Sequence, residues 1–298
     1  MTFSEFMDWG LFQEVMKAKK SYSDDISRAR RLKDYFGQIK ASQVTPLMVE
    51  NFRIKVAKTV SEKTGRPYSG TTVNRMIALA RRIYNLGMDA GILQKNPYSR
   101  RAKFKEHPLG KFIPDEKFQA IAKELPEDIR PLVITAYLTG MRRGEIVGLE
   151  WSRVDLDSGT IDLSAEDTKT DEPRIIYLGS LPELRRVFIE AKLKRKLKQK
   201  LVFLRADGRE VQGWTVSRLF KKACQKAGVG SYRLHDCRHT FTTNCVKAGV
   251  SKATIMKLTG HKTLSMFLRY SHLDREQSES AMNSLGELLS EKRKRAHG

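Results

Sequence analysis

Between Thr71 and Ala90 the residues Val73, Met76, Ile77, Ala80, Ile83 and Tyr84 recur at the spacing of one helical face, while Arg75, Arg81 and Arg82 lie largely off it. This predicts a long amphipathic helix, ended by Gly91. The residues before it follow the same logic. A first amphipathic helix is predicted from Ser4 to about Lys19, and a second from a Ser23 cap to Gly37. Thr45 followed by Pro46 is a cap with proline in the first helical position, which opens a third helix to about Val60. Ser61–Gly70, with Gly65, Pro67 and Gly70, is a loop, and Asn96-Pro97 closes an all-helical region over residues 1–98.

Periodicity disappears over Ser99–Lys111, a linker carrying five Lys/Arg. It returns at Pro114-Asp115-Glu116, where acids in the first turn suit the helix dipole. An apolar helix over Pro131–Thr139 ends at Gly140, and a helical turn or two follows over Arg143–Leu149. The pattern then changes to alternation. Val154–Leu163 reads as strand, tight turn and strand, Arg174–Leu178 as a third strand, and Glu166–Glu172 as the polar tip between the last two. Leu184–Lys200, with eight Lys/Arg, reads as a basic helix. Val202–Leu204 and Asp207-Gly208 form a short extended piece and turn, Trp214–Ala227 an amphipathic helix, and Leu234–His272 further helices. The fold class is therefore mainly α with a small three-stranded antiparallel sheet. A helical domain covers 1–98, the linker 99–111, a mixed α+β domain 112–290, and a basic tail 291–298.

A chain of 298 residues can hold two cores of this kind. Its 56 Lys+Arg against 34 Asp+Glu give a net charge of +22, which predicts attraction to a polyanion, DNA or RNA in the first place, with a merely basic or ribosome-associated protein as the alternative. The linker basics Arg100, Arg101, Lys103 and Lys105 are then either a solvated hinge or a strap across a phosphate backbone, and Arg75, Arg81 and Arg82 are candidates to face the nucleic acid. Three cysteines at irregular spacing, Cys224, Cys237 and Cys245, fit neither a zinc module nor a disulfide framework. No apolar run is long enough to span a bilayer, and MTFSEFMDWG lacks the character of a signal peptide, so a cytoplasmic location is expected.

Several polar motifs are ordinary when taken singly. Thr139-Gly140-Met141-Arg142-Arg143-Gly144-Glu145 puts an arginine after a glycine turn at the start of a helix, where a guanidinium fork and the helix dipole could together cradle a phosphate, with Glu145 one turn on to hold the guanidinium. His235 and Arg238 stand three apart on a helix, Lys169 lies on the hairpin tip, His261 follows the helix-ending Gly260, and Tyr270 comes after another short helical run.

In order, Thr-Gly-x-Arg-x-x-Glu, a lysine between two strands, Leu-His-Asp-x-Arg-His-Thr-Phe, Leu-x-Gly-His and Arg-Tyr-Ser-His resemble the tyrosine recombinase (phage integrase) family over nearly the whole chain. The resemblance implies a helical core-binding, SAM-like domain followed by a catalytic domain. It implies site-specific DNA recombination in which Tyr270 attacks the scissile phosphate, leaving a 3′-phosphotyrosyl enzyme and a free 5′-hydroxyl, and strands are exchanged through a Holliday junction. Arg142 and Arg238 would meet the charge on the non-bridging oxygens, Lys169 would protonate the leaving oxygen, His235 would bond the phosphate or manage the tyrosine proton, His261 would bond a phosphate oxygen, and Glu145 would support Arg142. No cofactor, ATP or metal is expected. The implied partners are double-stranded DNA recombination sites, a homo-tetramer in the synaptic complex built from monomers free in solution, and accessory DNA-bending proteins, with no membrane. A chain that starts almost at the core-binding domain is expected to be a short Xer-like enzyme or mobile-element integrase without an arm-binding domain. The rivals are a type IB topoisomerase-like relaxing enzyme and a DNA-binding protein with a dead site. Two departures stand out: Cys237 where a larger aliphatic residue is usual, and the apolar Met266-Phe267-Leu268 before the tyrosine. The apolar stripe in Glu279–Leu289 is expected to be core or a dock for a neighbouring protomer.

Overall fold

The computed structural model describes residues 1–260 apart from 20, 63, 100–101, 107–109, 167 and 169–171, together with residues 282–283. The chain divides into two compact units, Met1–His107 and Pro108–Gly298.

In the first unit, α1 (Phe3–Phe12), α2 (Glu14–Lys17), α3 (Tyr22–Phe36), α4 (Pro46–Lys58) and α5 (Gly70–Asp89) surround an aromatic core. Phe3, Phe6, Phe36, Phe52, Tyr84 and Tyr98 are fully buried, and their rings meet at tilted or edge-on angles with centroids 5.0–6.4 Å apart. Thr45 accepts a hydrogen bond from the Met48 amide ahead of Pro46, so the cap-and-proline start of α4 is formed. The buried residues of α5 include Val73, Met76, Ile77, Ala80, Ile83 and Tyr84, and Arg75, Arg81 and Arg82 are exposed.

Three sequence expectations need correcting in this unit. The helix expected to run from Ser4 to about Lys19 is interrupted at Gln13, which is extended and donates from Nε2 to the Trp9 carbonyl. The break redirects the chain so that Met16 enters the core. The second helix starts at Tyr22, with Ser21 rather than Ser23 as its first boundary residue. The loop Ser61–Gly70 holds a small antiparallel pair, β1 (Val60–Ser61) and β2 (Arg66–Pro67), turned by Gly65 at φ +62°.

The linker is partly built into this unit. Asn74, buried on α5, donates to the Phe104 carbonyl at 2.9 Å and to Glu106 at 2.8 Å, and accepts from the Phe104 amide at 2.9 Å. The Arg53 guanidinium lies 4.7 Å from the Phe104 ring centre. Lys103 and Lys105 are exposed on either side of this anchor.

The second unit is organised on α7 (Arg130–Thr139), against which α6 (Asp115–Lys123), α8 (Arg143–Val147), α9 (Pro182–Leu193), α10 (Gly213–Lys226) and α11 (Leu234–Lys247) pack. The sheet β3 (Val154–Asp155), β4 (Thr160–Leu163) and β5 (Arg174–Tyr177) is antiparallel in that order, with Leu163 opposite Arg174. Its α12 (Lys252–Thr259) packs on α11 and on β5. The basic helix expected to reach Lys200 stops at Leu193. Beyond it Lys200–Val202 pairs with Leu149–Trp151, through Trp151 N to Lys200 O at 2.9 Å and Val202 N to Leu149 O at 2.8 Å. Lys192 and Arg195 lie 5.4 and 5.3 Å from the Trp151 ring centre. A long-range pairing thus overrides local helix propensity, and part of the basic run packs on an aromatic ring.

Candidate active site

Two left-handed glycines build the frame. Gly140 ends α7 at φ +63°, and Gly260 ends α12 at φ +65°. A Cβ on Gly140 would lie 2.5 Å from the Phe241 ring, so the position requires glycine both for its backbone and for the approach of α11. Each of these helix ends presents a carbonyl to an arginine. Arg238, on α11 and 4 % exposed, donates from Nη1 to Gly140 O at 2.8 Å and from Nη2 to Thr259 O. Arg142 donates from Nη2 to Gly260 O at 2.7 Å. The two guanidiniums therefore rest on consecutive carbonyls at the end of α12, the electron-rich pole of that helix.

Arg142 is fixed a second time by Glu145. Its Nη1 donates to Glu145 Oε1 at 3.0 Å, and its amide donates to Oε2 at 2.7 Å. Arg142 stands at the start of a helix, as the sequence predicts. The helix that follows Arg142 is only five residues long, and the amide at its start is taken by Glu145. The other Glu145 contact is an ion pair with Nη2 of Arg174 on β5. Glu145 is 5 % exposed and Arg174 7 %. Burial by itself would raise the Glu145 pKa. The hydrogen bond and charge of Arg174, followed by the bonds from Arg142, outweigh it and hold the carboxyl below its usual value.

His235 stands one turn before Arg238 on α11 and is exposed, though packed neighbours flank the ring. Its neighbours strip water from the ring. That desolvation, followed by the charges of His239, Arg238 and Arg233, pushes its pKa down to about 4. The imidazole is neutral at neutral pH. The start of α11 is secured by buried Asp236, which accepts from the Arg233 amide and side chain, both at 2.8 Å. The incoming chain is tied to the same helix, with the Ile113 amide donating to Thr240 Oγ1 at 2.9 Å.

Lys169, His261 and Tyr270 lie outside the described residues, as do Arg100 and Arg101, and so does all of 279–289 except 282–283. The flank of Lys169 is described. Thr168 is buried, donates to Ala165 O at 3.2 Å and accepts from the Glu172 amide at 3.0 Å. Among the described residues, Arg142 and Arg238 bond carbonyls at the α12 terminus, Glu145 bonds Arg142, and His235 lies one turn before Arg238 on α11. Arg75, Arg81, Arg82, Lys103 and Lys105 belong to the first unit.

The sequence and the fold match a known group of proteins. Residues 112–277 match the phage integrase family, and residues 2–106 match the phage integrase SAM-like domain. The chain belongs to the phage integrase family. As such it is a tyrosine recombinase, an enzyme that breaks and rejoins DNA in site-specific recombination. It is 23 % identical to the tyrosine recombinase XerC-like protein of Caldanaerobacter subterraneus subsp. tengcongensis, over 97 % of this chain and 84 % of that one. It is 25 % identical to tyrosine recombinase XerC of Thermodesulfovibrio yellowstonii, over 88 % and 90 %. The fold is shared with the Tn1549 transposon integrase solved with transposon right end DNA (TM-score 0.78, 16 % identity, 95 % of this chain and all of that one). It is also shared with a lambda integrase tetramer bound to a Holliday junction (TM-score 0.73, 14 % identity, 88 % and 78 %).

Sequence reasoning about this integrase missed Arg174, although a signal was present. Alternation along Arg174-Ile175-Ile176-Tyr177-Leu178 puts the arginine on the same face as Ile176 and Leu178, which are core residues. A charged residue in phase with the buried face of a strand needs a buried partner, and that partner is Glu145.

Proposed function

We propose that the site performs strand cleavage with Tyr270 as nucleophile and with Arg142 and Arg238 as the donors that receive charge on the non-bridging oxygens of the scissile phosphate. The observation that carries this reading is the pair of arginines held on the carbonyls of Gly140, Thr259 and Gly260, directly ahead of His261 in the chain. Two guanidiniums oriented before substrate arrives need little reorganisation as charge develops, and such donors are worth roughly 10²–10³ each in rate. In the step, the Tyr270 oxygen forms a bond to phosphorus, the bond to the 5′-oxygen breaks, and Lys169 gives that oxygen its proton. Neutral His235 accepts the phenolic proton or donates one N–H to the phosphate, and His261 bonds a phosphate oxygen. The phosphotyrosyl bond conserves the energy for rejoining, so no cofactor is consumed. Attack by a 5′-hydroxyl from the partner site completes the exchange.

In this reading the first unit is the core-binding domain, with Arg75, Arg81 and Arg82 on DNA, and Lys103 and Lys105, with Arg100 and Arg101, follow the backbone. The enzyme works in the cytoplasm on two DNA sites as a homo-tetramer assisted by DNA-bending proteins. The tetramer is supported by the lambda integrase solved on a Holliday junction. The test is incubation with nicked suicide duplexes in EDTA without nucleotide. A covalent protein–DNA band that disappears in Tyr270→Phe is expected. A band that persists in Tyr270→Phe, or that needs Mg²⁺ or ATP, overturns the assignment. Relaxation of supercoiled plasmid at unrelated sites without synapsis favours a topoisomerase-like enzyme.

A further inference from the structure

We infer that Arg174 is a positioning residue for cleavage: from the first position of β5 it holds Glu145, and through Glu145 it sets the Arg142 guanidinium and ties the base of the Lys169 hairpin to it. This rests on the proposed role of Arg142.

The geometry supports it in three ways. First, the two oxygens of Glu145 are shared. Oε1 takes Arg142 Nη1, while Oε2 takes both the Arg142 amide and Arg174 Nη2. Without Arg174 the carboxylate would be buried with Arg142 alone opposing it, and Arg142 would be drawn from the Gly260 carbonyl toward it. Second, Arg174 pairs across the sheet with Leu163, so it is the point where the chain returns from the Lys169 tip. A tie from this residue to Glu145 fixes the root of that hairpin against the start of α8. Third, Arg174 uses little of its capacity for structure. Its Nε and Nη1 are buried and have no partner among the described residues. A guanidinium buried in this way is unfavourable for the fold by itself, since a hydrophobic side chain in phase with Ile176 and Leu178 would pack there without unmet donors. What it holds accounts for a guanidinium at this position.

The test uses the full chain and single-turnover cleavage of a nicked duplex that the wild-type enzyme captures covalently from a random-sequence library. Affinity for the same duplex and melting temperature are read alongside. Arg174→Met is expected to slow cleavage about 10- to 100-fold, the effect of a small displacement of a catalytic donor, with affinity unchanged. Arg174→Lys keeps a charge opposite Glu145 and recovers most of the rate. The double variant Glu145→Gln/Arg174→Met removes both buried charges. It should recover the melting temperature but not the rate. Recovery of rate together with melting temperature would reduce Arg174 to a structural residue and overturn the inference, as would wild-type cleavage by folded Arg174→Met. Arg142→Lys separates the two levels. If it cleaves as wild type does, the role of Arg142 is wrong. If it is impaired while Arg174→Met is not, only the inference fails. On the Arg142→Lys background, Arg174→Met should add little, because both act through one guanidinium.

Discussion

The two units bury different things. The first encloses six fully buried aromatic rings and turns Arg75, Arg81 and Arg82 outward. The second encloses a mixed aliphatic and aromatic core, with Phe118, Phe188 and Phe220 among its fully buried rings. Where the first unit buries Asp25 and Arg53 in ion pairs between neighbours on one helix, the second buries Glu145, Arg174, Asp236 and Arg238 drawn from several elements. Charge left on a surface is hydrated and mobile. Charge held among carbonyls and a carboxylate is aimed, and the cost of desolvating it is met by hydrogen bonds in fixed directions. In the proposed reading the first unit supplies general attraction to a polyanion, and the second places charge against one phosphate.

Substitutions can break that comparison. Phe36→Ala should have the largest effect, about 3–5 kcal/mol on the stability of the first unit, read as a lower denaturant midpoint. Full-strength cleavage by the residual folded enzyme is the companion result. Arg238→Ala should do the reverse, lowering cleavage about 10²–10³-fold, roughly 2.7–4 kcal/mol, with DNA affinity largely kept. Equal loss of affinity and cleavage would show that Arg238 only binds. Gly140→Ala joins the two kinds of effect. The left-handed backbone alone costs about 1–2 kcal/mol with a Cβ, and displacement of Phe241 should move Arg238 from the Gly140 carbonyl, so both melting temperature and cleavage rate should fall. Asn74→Ala should cost about 1 kcal/mol and be felt locally. Faster hydrogen exchange at the Phe104 amide is expected, and unchanged exchange would show that Asn74 does not hold the linker.

The smallest effect is at acid pH. Glu145 is held below the ordinary carboxyl value of 4.5, so its contribution is present above that value and is lost as pH falls through the lower folded one. His235 is lowered from 6.5 to about 4, so the folded state resists its proton and loses stability as pH falls across that interval. Melting temperature should decline over the same range, and His235→Asn should flatten the upper part of the decline.

Much of this was legible in the chain. The stripe from Val73 to Tyr84, the cap at Thr45, the alternation around Val154–Leu163, and the terminal glycines Gly140 and Gly260 all follow from local rules. Helical period, strand period and freedom at positive φ depend on a residue and its near neighbours. The spaced motifs also named Arg142, Glu145 and Arg238, which hydrogen bonds join to each other or to the end of α12, and His235, one turn before Arg238.

Tertiary structure decided the rest, each time through a partner far away in sequence. The basic helix stops at Leu193 because Lys200–Val202 is needed beside Leu149–Trp151. The linker is anchored at Phe104 because Asn74 reaches it from α5. Arg238 gains its direction from carbonyls at Gly140 and Thr259, and Glu145 gains Arg174 from a strand that returns after the hairpin. The sequence by itself determined which residues carry charge and which local shapes they take. Only packing decided which charges were buried together, because the free energy of a buried ion depends on what surrounds it in space rather than on what precedes it in the chain.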